Sequence, residues 1–306
     1  MNIIAICNFT GPKYLIFSEH VPPLIYYSHL PVAFITIILG IYLLLKGVKE
    51  LSHQIIFTLM LIFSLWVSLD SVFWASNRSD IIMFVWSIQI LIEPLVYLCS
   101  LYLVYVILNK KDCDFKNKII LLVLYVPVII LSPTQYGLSF FDRTLCLGNE
   151  SIYSYYTYLL EMFCIINIFI IGIRSYIHET RGILRIEVIN FLCGILIFLI
   201  AFSWGNIIGS FTDNWNLAQF GLLGMPIFIG FLFYNIVNFN LFEIRLIGRN
   251  IIVITLWILV GSLLAIRDFY ISQIVLGITF FISIILGVIL IRSTKREIGH
   301  IEQISK

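Results

Sequence analysis

The sequence predicts an all-α protein: a polytopic transmembrane helix bundle of about nine spans, made of a seven-helix bundle and a C-terminal helical hairpin. Three observations support this fold class. Hydrophobic residues make up 60% of the 306 residues and charged residues only 12%, about half the charged share of a soluble domain. The apolar residues form long uncharged runs, and the positive charges collect in alternate loops. The lipid bilayer is therefore the expected surrounding of the chain, and a net charge of +2 does not favour a nucleic-acid partner.

Uncharged or nearly uncharged runs of about 20 residues are long enough to cross the hydrocarbon core of a bilayer. Seven of them predict a bundle over residues 24–237, preceded by an extracytoplasmic segment at 1–23. After a linker at 238–250, two more predict a transmembrane hairpin at 251–291, which leads into a tail at 292–306. The predicted spans are Leu24–Leu45, Ile55–Ala75, Ile81–Leu108, Ile119–Leu138, Tyr153–Ile173, Val188–Ile208, Leu217–Val237, Ile251–Ile266 and Phe269–Ile291.

The distribution of lysine and arginine predicts the orientation of the bundle, because these residues favour cytoplasmic loops. With nine spans, all but four of the 19 Lys and Arg residues fall on one side of the membrane. The four on the other side are Lys13, Arg78, Arg143 and Arg267. We therefore expect a multi-pass protein of the cell membrane, with an extracytoplasmic N-terminus and a cytoplasmic C-terminus.

Glu93 and Pro94 lie in the middle of the third predicted span. A carboxyl group inside the hydrocarbon is costly and marks a candidate functional site, and a proline removes one backbone hydrogen bond and kinks its helix. One interpretation is that Glu93 binds a ligand or relays a movement when it is protonated. The other is a neutral, structural Glu93 that bonds to a hydroxyl such as that of Tyr97 or Ser87. The sequence favours neither of these two interpretations over the other.

Two further acidic residues lie inside predicted spans. Asp70 is about one turn from the outer end of its span, near Trp66, and its position favours contact with interfacial water over a buried partner. Glu161 follows a group of tyrosines at the start of the fifth span. These tyrosines are typical of an interfacial aromatic belt, which is the favoured interpretation; the alternative is an outward-facing pocket that Glu161 closes at depth. The tyrosines are Tyr153, Tyr155, Tyr156 and Tyr158.

Neither the six cysteines nor the five histidines have the spacing of a metal site, so we expect no metal and no cofactor. Cys7 and Cys146 both fall on the outer side, and a disulfide between them is left open. Catalysis would need converging polar groups, but the acidic residues of the spans lie on separate helices, so we do not expect an enzyme. The chain has no clear internal repeat, which lowers the weight of a transporter.

The tail after the last predicted span has the pattern of a helix that continues into the cytoplasm. Ile291, Ile298 and Ile301 follow the a and d spacing of a heptad, with charged residues at other positions. They predict the start of an output helix that passes a movement of the bundle to a helical partner. The alternative is an ordinary basic helix end held at the lipid headgroups.

Five stretches, in this order along the chain, resemble the seven-transmembrane sensor region at the N-terminus of certain bacterial histidine kinases. The similarity covers nearly the whole chain, and the order of the stretches carries it more than any one of them. They are Leu30–Gly40, Phe63–Trp66, Glu93-Pro94, Tyr234–Arg245 and Leu290–Glu297.

The resemblance implies a membrane sensor, the input module of a two-component-type signalling system. The sequence departs from the family because it contains neither a phospho-accepting histidine domain nor an ATP-binding domain. The chain is therefore expected to be either the sensor part of a longer kinase or a separate input module that acts on a histidine kinase module or another cytoplasmic signalling partner, with a homodimer as a further expected assembly. The main alternative from the sequence is a small-molecule or ion transporter.

Overall fold

The computed structural model describes Val21 and residues 23–46, 50–142, 147–178 and 182–212, together with the single positions Phe281 and Ile284. Within this part of the chain there are six α-helices and one two-stranded antiparallel sheet. In chain order the elements are α1 (Pro23–Lys46), α2 (Leu51–Ala75), α3 (Ser79–Asn109), α4 (Phe115–Leu131), β1 (Leu138–Asp142), β2 (Leu147–Glu150), α5 (Ile152–His178) and α6 (Gly182–Thr212).

Some of the sequence predictions concern residues outside the described ones, and they stay predictions. These are the segment before Val21, the seventh, eighth and ninth spans, the linker at 238–250, the tail with Ile291, Ile298 and Ile301, and the pairing of Cys7 with Cys146.

Four of the described helices are long and apolar enough to cross a membrane. They are α2, α3, α5 up to Ile177, and the part of α6 from Val188 to Gly205. At about 1.5 Å per residue, helices of this length match the thickness of the hydrocarbon core. The predicted helical, multi-pass character is therefore supported within the described residues.

The fourth predicted span, Ile119–Leu138, is wrong at its end. The helix ends at Leu131, directly before Ser132 and Pro133, and proline is common one or two residues after a helix end. The chain then turns, with the Gly137 N–H donating to the carbonyl of Thr134 over 3.0 Å. Leu138 enters β1 instead of a helix.

The connection between α4 and α5 is a β-hairpin that rests on α3. Strands β1 and β2 pair antiparallel, and both contact α3. At Gly148 the hairpin approaches α3 so closely that an added Cβ would lie 2.9 Å from the sulfur of Met83 and 3.2 Å from the indole of Trp86. Phe141 packs with the buried side chains at the adjoining ends of α2 and α3. The hairpin thus covers the end of the bundle at which α3 begins.

Helix α3 occupies the centre of the described bundle, in contact with α2, α4, α5, α6 and both strands. The main core next to it is aromatic: the ring of Phe63 from α2 packs edge-on against Phe198 and Phe202 of α6, at centroid distances of 5.4 and 5.7 Å. Without a hydrophobic driving force between helices in lipid, such close packing is a main source of helix association. The outward sides of α4 and α5 are apolar and exposed, as expected for surfaces that face lipid.

Tyrosine hydroxyls tie α3, α4 and α5 together at the prolines. The Tyr125 O–H of α4 donates to the carbonyl of Leu91 over 2.9 Å, three residues before Pro94. In the same way the Tyr156 O–H of α5 donates to the carbonyl of Leu124 over 2.6 Å, three residues before the proline of α4. Neighbouring helices commonly satisfy backbone groups near a proline in this way. These bonds connect α4 to α3 and α5 to α4 near the prolines, where one backbone hydrogen bond of the helix is missing.

In the connection from α3 to α4, Asp112 bridges a side chain of α3 and a side chain of α4. Its carboxylate accepts hydrogen bonds from the Tyr102 O–H at 2.6 Å and from the Lys118 ammonium group at 2.5 Å. Both charged groups are at the surface, and the Lys118 ammonium also lies 5.7 Å from the Tyr102 ring centroid. The hydrogen bond from Lys118 holds the pKa of Asp112 below its usual value of 3.8, and the bond from Tyr102 adds to this.

We expect this bridge to open as the pH falls. Because the pKa of Asp112 is lowered by folding, its contribution is complete above the usual value of 3.8 and is lost as the pH falls through the lower folded value. A carbon NMR titration of the Asp112 carboxyl in micelles measures this. Lys118→Gln should move the midpoint up towards the usual value, and an unchanged midpoint in that variant would contradict the pairing.

Candidate functional site: two buried polar clusters on α3

Two clusters of polar side chains lie between the helices, and α3 contributes to both. The His–Asp–Gln cluster consists of His29, Asp70 and Gln89. The Tyr–Ser–Glu cluster consists of Tyr97, Ser203 and Glu161. Polar and ionisable groups inside a membrane bundle are costly and mark candidate functional sites.

The His–Asp–Gln cluster joins α1, α2 and α3 through one carboxylate. Asp70 Oδ2 lies 2.8 Å from Nε2 of His29, and Asp70 Oδ1 accepts a hydrogen bond of 3.0 Å from the side-chain amide of Gln89. The His29 side chain is fully buried and that of Asp70 is 14% exposed. The interpretation of Asp70 as a group that reaches interfacial water is therefore corrected, because both its oxygens are taken by partners from other helices.

The Tyr–Ser–Glu cluster joins α3, α5 and α6. The Tyr97 hydroxyl oxygen lies 2.5 Å from Oγ of Ser203 and 3.2 Å from the backbone carbonyl of Leu199 on α6. Ser203 Oγ in turn lies 3.2 Å from Oε2 of Glu161 on α5. Tyr97 is 0% and Glu161 1% exposed. The sequence singled out Glu161 and Tyr97 separately, and the structure brings them together through Ser203.

Glu93 and Pro94 lie one helical turn before Tyr97 on α3. Glu93 is buried, and its spacing of four residues from Tyr97 puts both on one face of the helix. The carboxyl groups of Glu93 and Glu161 both act electrostatically on the Tyr97 hydroxyl. Of the hydroxyls considered for Glu93, that of Ser87 donates to the carbonyl of Met83 over 2.8 Å. Glu93 therefore belongs to the surroundings of the Tyr–Ser–Glu cluster.

An aromatic wall closes one side of the Tyr–Ser–Glu cluster. The ring of Phe202 lies 5.9 Å from that of Tyr97 and 4.7 Å from that of Trp66 on α2. Trp66 is 6% exposed, and its indole N–H has no hydrogen-bond acceptor among the described residues. A buried indole N–H usually finds a partner. Trp66 therefore belongs to the aromatic wall of the Tyr–Ser–Glu cluster, and it also lies about one helical turn before Asp70.

The tyrosines at the start of α5 do not all behave as an interfacial belt. Tyr155 is 54% exposed, as a belt residue should be, but Tyr153 is buried and stacks on Tyr156 at a centroid distance of 5.8 Å. The inward side of this group contacts the bundle, whereas the outward side faces the surroundings.

Three members of the clusters were missed from the sequence: His29, Gln89 and Ser203. The signal for His29 and Gln89 was their position in long apolar runs, at the same end of the bundle as Asp70 when adjacent helices run antiparallel. Serine is common in transmembrane helices at helix contacts, so Ser203 carried no specific signal.

The two clusters consist of side chains that can donate and accept hydrogen bonds, and three of them, His29, Asp70 and Glu161, can also bind or release a proton. Within the described residues, no group of three or more His, Cys, Asp and Glu side chains is placed to hold a metal ion. In the comparisons with known proteins, the chain matches no family model, no curated protein and no solved structure.

Proposed function

We propose that this protein is a membrane sensor, the input module of a two-component-type signalling system that acts on a cytoplasmic kinase module. The observation that carries the proposal is that α3 enters both buried polar clusters and contains Pro94 between Gln89 and Tyr97. A helix held at two points by exchangeable hydrogen bonds has the properties of a two-state element.

In this proposal the nine-span topology, with an extracytoplasmic N-terminus and a cytoplasmic C-terminus, places the His–Asp–Gln cluster towards the outside. A stimulus that changes either cluster shifts α3 relative to α1, α5 and α6. The shift then reaches the cytoplasm through the last span and the output helix at Ile291, Ile298 and Ile301. The output helices of two copies would pair on the kinase module, which agrees with the sequence resemblance to histidine kinase sensor regions.

A chimera tests this function. The full chain is joined in helical register to the dimerisation and catalytic domains of a histidine kinase, and autophosphorylation is measured in lipid vesicles. We expect Glu93→Gln to change the rate at least about fivefold, since allosteric coupling of this kind typically amounts to about 1–3 kcal/mol. The control is Asp80→Asn, at an exposed position of the same helix, which should leave the rate unchanged.

The melting temperature of each variant is measured together with its autophosphorylation rate. If Glu93→Gln keeps its melting temperature and the rate is also unchanged in several joining registers, Glu93 takes no part in signalling. If no variant of either cluster changes the rate, the sensor function is wrong.

A transporter is the second candidate, favoured by one observation: two buried carboxyl groups, Glu93 and Glu161, lie near one hydroxyl at the middle of the bundle. Such groups also occur along ion and proton paths. A transporter predicts a proton or cation flux into vesicles that contain the full chain and a dye sensitive to pH. A flux that Glu161→Gln abolishes would favour transport, whereas tight vesicles together with a responsive chimera would favour sensing.

A further inference from the structure

The number of protons that the contacts of the Tyr–Ser–Glu cluster require bears on the protonation state of Glu161. Three short contacts follow one another: from the Leu199 carbonyl to the Tyr97 hydroxyl, from Tyr97 to the Ser203 hydroxyl, and from Ser203 to the Glu161 carboxyl. If all three contacts are hydrogen bonds at the same time, each needs one proton between its oxygens. Tyr97 and Ser203 supply one proton each, so the third proton must belong to Glu161.

The direction of every bond then follows. A carbonyl oxygen is only an acceptor, so Tyr97 donates to Leu199. Ser203 must therefore donate to Tyr97, and the protonated Glu161 must donate to Ser203. With an ionised Glu161 the order is reversed: Ser203 donates to the carboxylate, Tyr97 donates to Ser203, and the bond to Leu199 is lost. Hydrogen bonds to a carboxylate are stronger than neutral ones, which favours this reversal.

We propose that Glu161 is a proton-binding site whose protonation fastens α3 to the backbone of α6 through Ser203 and Tyr97. The proton binds to the carboxylate oxygen at 3.2 Å from Ser203, and its release turns the Tyr97 hydroxyl away from the Leu199 carbonyl. The inference deepens the proposed function, and only its signalling consequence rests on that function: the proton would be a stimulus, read as the presence or absence of the Tyr97–Leu199 hydrogen bond, while the Tyr97–Ser203 bond between α3 and α6 remains in both states.

The groups around Glu161 agree with a single exchangeable proton there. From α3, Tyr97 and Glu93 are the titratable neighbours of the cluster, and from α5 itself it is Cys164. From α4, the Tyr125 hydroxyl is engaged with the carbonyl of Leu91. Protonation at Glu161 therefore competes chiefly with the charge state of Glu93, which the test has to separate.

Infrared difference spectra between low and high pH provide the test, on the full chain in lipid vesicles. We expect a protonated carboxyl band that is lost as the pH rises, together with a shift of a tyrosine ring band at the same midpoint. Glu161→Gln should remove the carboxyl band and leave the tyrosine band independent of pH, because the amide N–H replaces the acid proton as donor to Ser203. Tyr97→Phe identifies the tyrosine band.

Two matched variants make the test decisive. Glu93→Gln should retain the Glu161 band, and if it removes that band while Glu161→Gln does not, the proposal is overturned. Ser203→Ala keeps the Tyr97 and Glu161 side chains but removes the hydroxyl between them. The carboxyl band should still titrate, while the shift of the tyrosine band with pH should become smaller, because only the direct interaction of Tyr97 with Glu161 remains. A tyrosine shift as large as that of the unchanged protein would also overturn the proposal, even if Glu161→Gln fails to fold.

The infrared spectra test the proton site and the kinase chimera tests the sensor function, so either proposal can be refuted without the other. Absence of the Glu161 band refutes the proton site and leaves the sensor function standing. A normal titration, combined with a chimera whose activity ignores both pH and the cluster variants, keeps the proton site and refutes the sensor.

Discussion

Replacing Phe63 with alanine is expected to lower the free energy of unfolding of the bundle by about 2–3 kcal/mol. Phe63 is 0% exposed and its ring packs edge-on against Phe198 and Phe202. In lipid the unfolded helices stay in an apolar medium, so the transfer from water contributes little and the cavity remains as the main term. At about 24 cal/mol per Å³, a void of roughly 100 Å³ costs about 2.4 kcal/mol.

The matched control is Phe84→Ala, at a position of α3 that is 67% exposed and leaves no internal cavity. Unfolding with increasing denaturing detergent in mixed micelles, followed by near-ultraviolet circular dichroism, measures both variants. We expect a change below about 0.5 kcal/mol for the control. Equal losses for the two variants would mean that Phe63 is not at a close-packed contact between α2 and α6.

The existence of all six described helices could be predicted from the sequence, but several of their ends could not. Long uncharged runs identify a span because lipid excludes charge from the helix surface. Backbone hydrogen bonding continues past the hydrocarbon edge, so the helices are longer than the runs. The third span was predicted at Ile81–Leu108 and extends over Ser79–Asn109; the sixth was predicted at Val188–Ile208 and extends over Gly182–Thr212.

The end of α4 was missed for a different reason. Residues 132–138 are still uncharged, and hydropathy alone continues the span through them. The local chemistry of Ser132 and Pro133 ends the helix first, and the carbonyl of Leu131 is then used by the Thr134 N–H at 3.0 Å. A turn signal of this kind outweighs apolar composition wherever the helix already nears the membrane surface.

The sequence predicted the buried carboxyl groups of the candidate site but not their hydrogen-bond partners. Glu161 and Asp70 stand out in apolar runs because burying a carboxyl is unfavourable. Their partners depend on how the helices pack: Asp70 meets a histidine 41 residues away, and Tyr97 meets a serine 106 residues away. No periodicity within one helix contains that information, since a helix has several faces that could meet a neighbour.

The two clusters connect α3 to different helices. The His–Asp–Gln cluster fastens α3 to α1 and α2, and the Tyr–Ser–Glu cluster fastens it to α5 and α6. Pro94 lies between the two fastenings, where the missing backbone bond makes bending easiest. In the proposed sensor, a change in one cluster would alter the angle of α3 while the hydrogen bonds of the other cluster remain.

Replacing Asp70 with leucine is expected to destabilise the bundle by about 2–4 kcal/mol. The change removes the acceptor of the His29 bond at 2.8 Å and of the Gln89 bond at 3.0 Å. Each buried donor that loses its acceptor typically costs about 1–3 kcal/mol. Asp70→Asn keeps one acceptor oxygen, so it should lose about half as much. The same detergent titration measures both variants.

The control for Asp70 is Asp80→Asn, which alters a carboxylate that is 43% exposed and paired with Arg78 at 2.6 Å. Solvent screens this pair, so no measurable change in stability is expected. If Asp70→Leu were as harmless as the control, other groups would already satisfy the donors of His29 and Gln89, and this cluster would not hold the first half of α3 in place. A loss that His29→Leu partly restores would instead show that the buried donor, and not the missing charge, accounts for the cost.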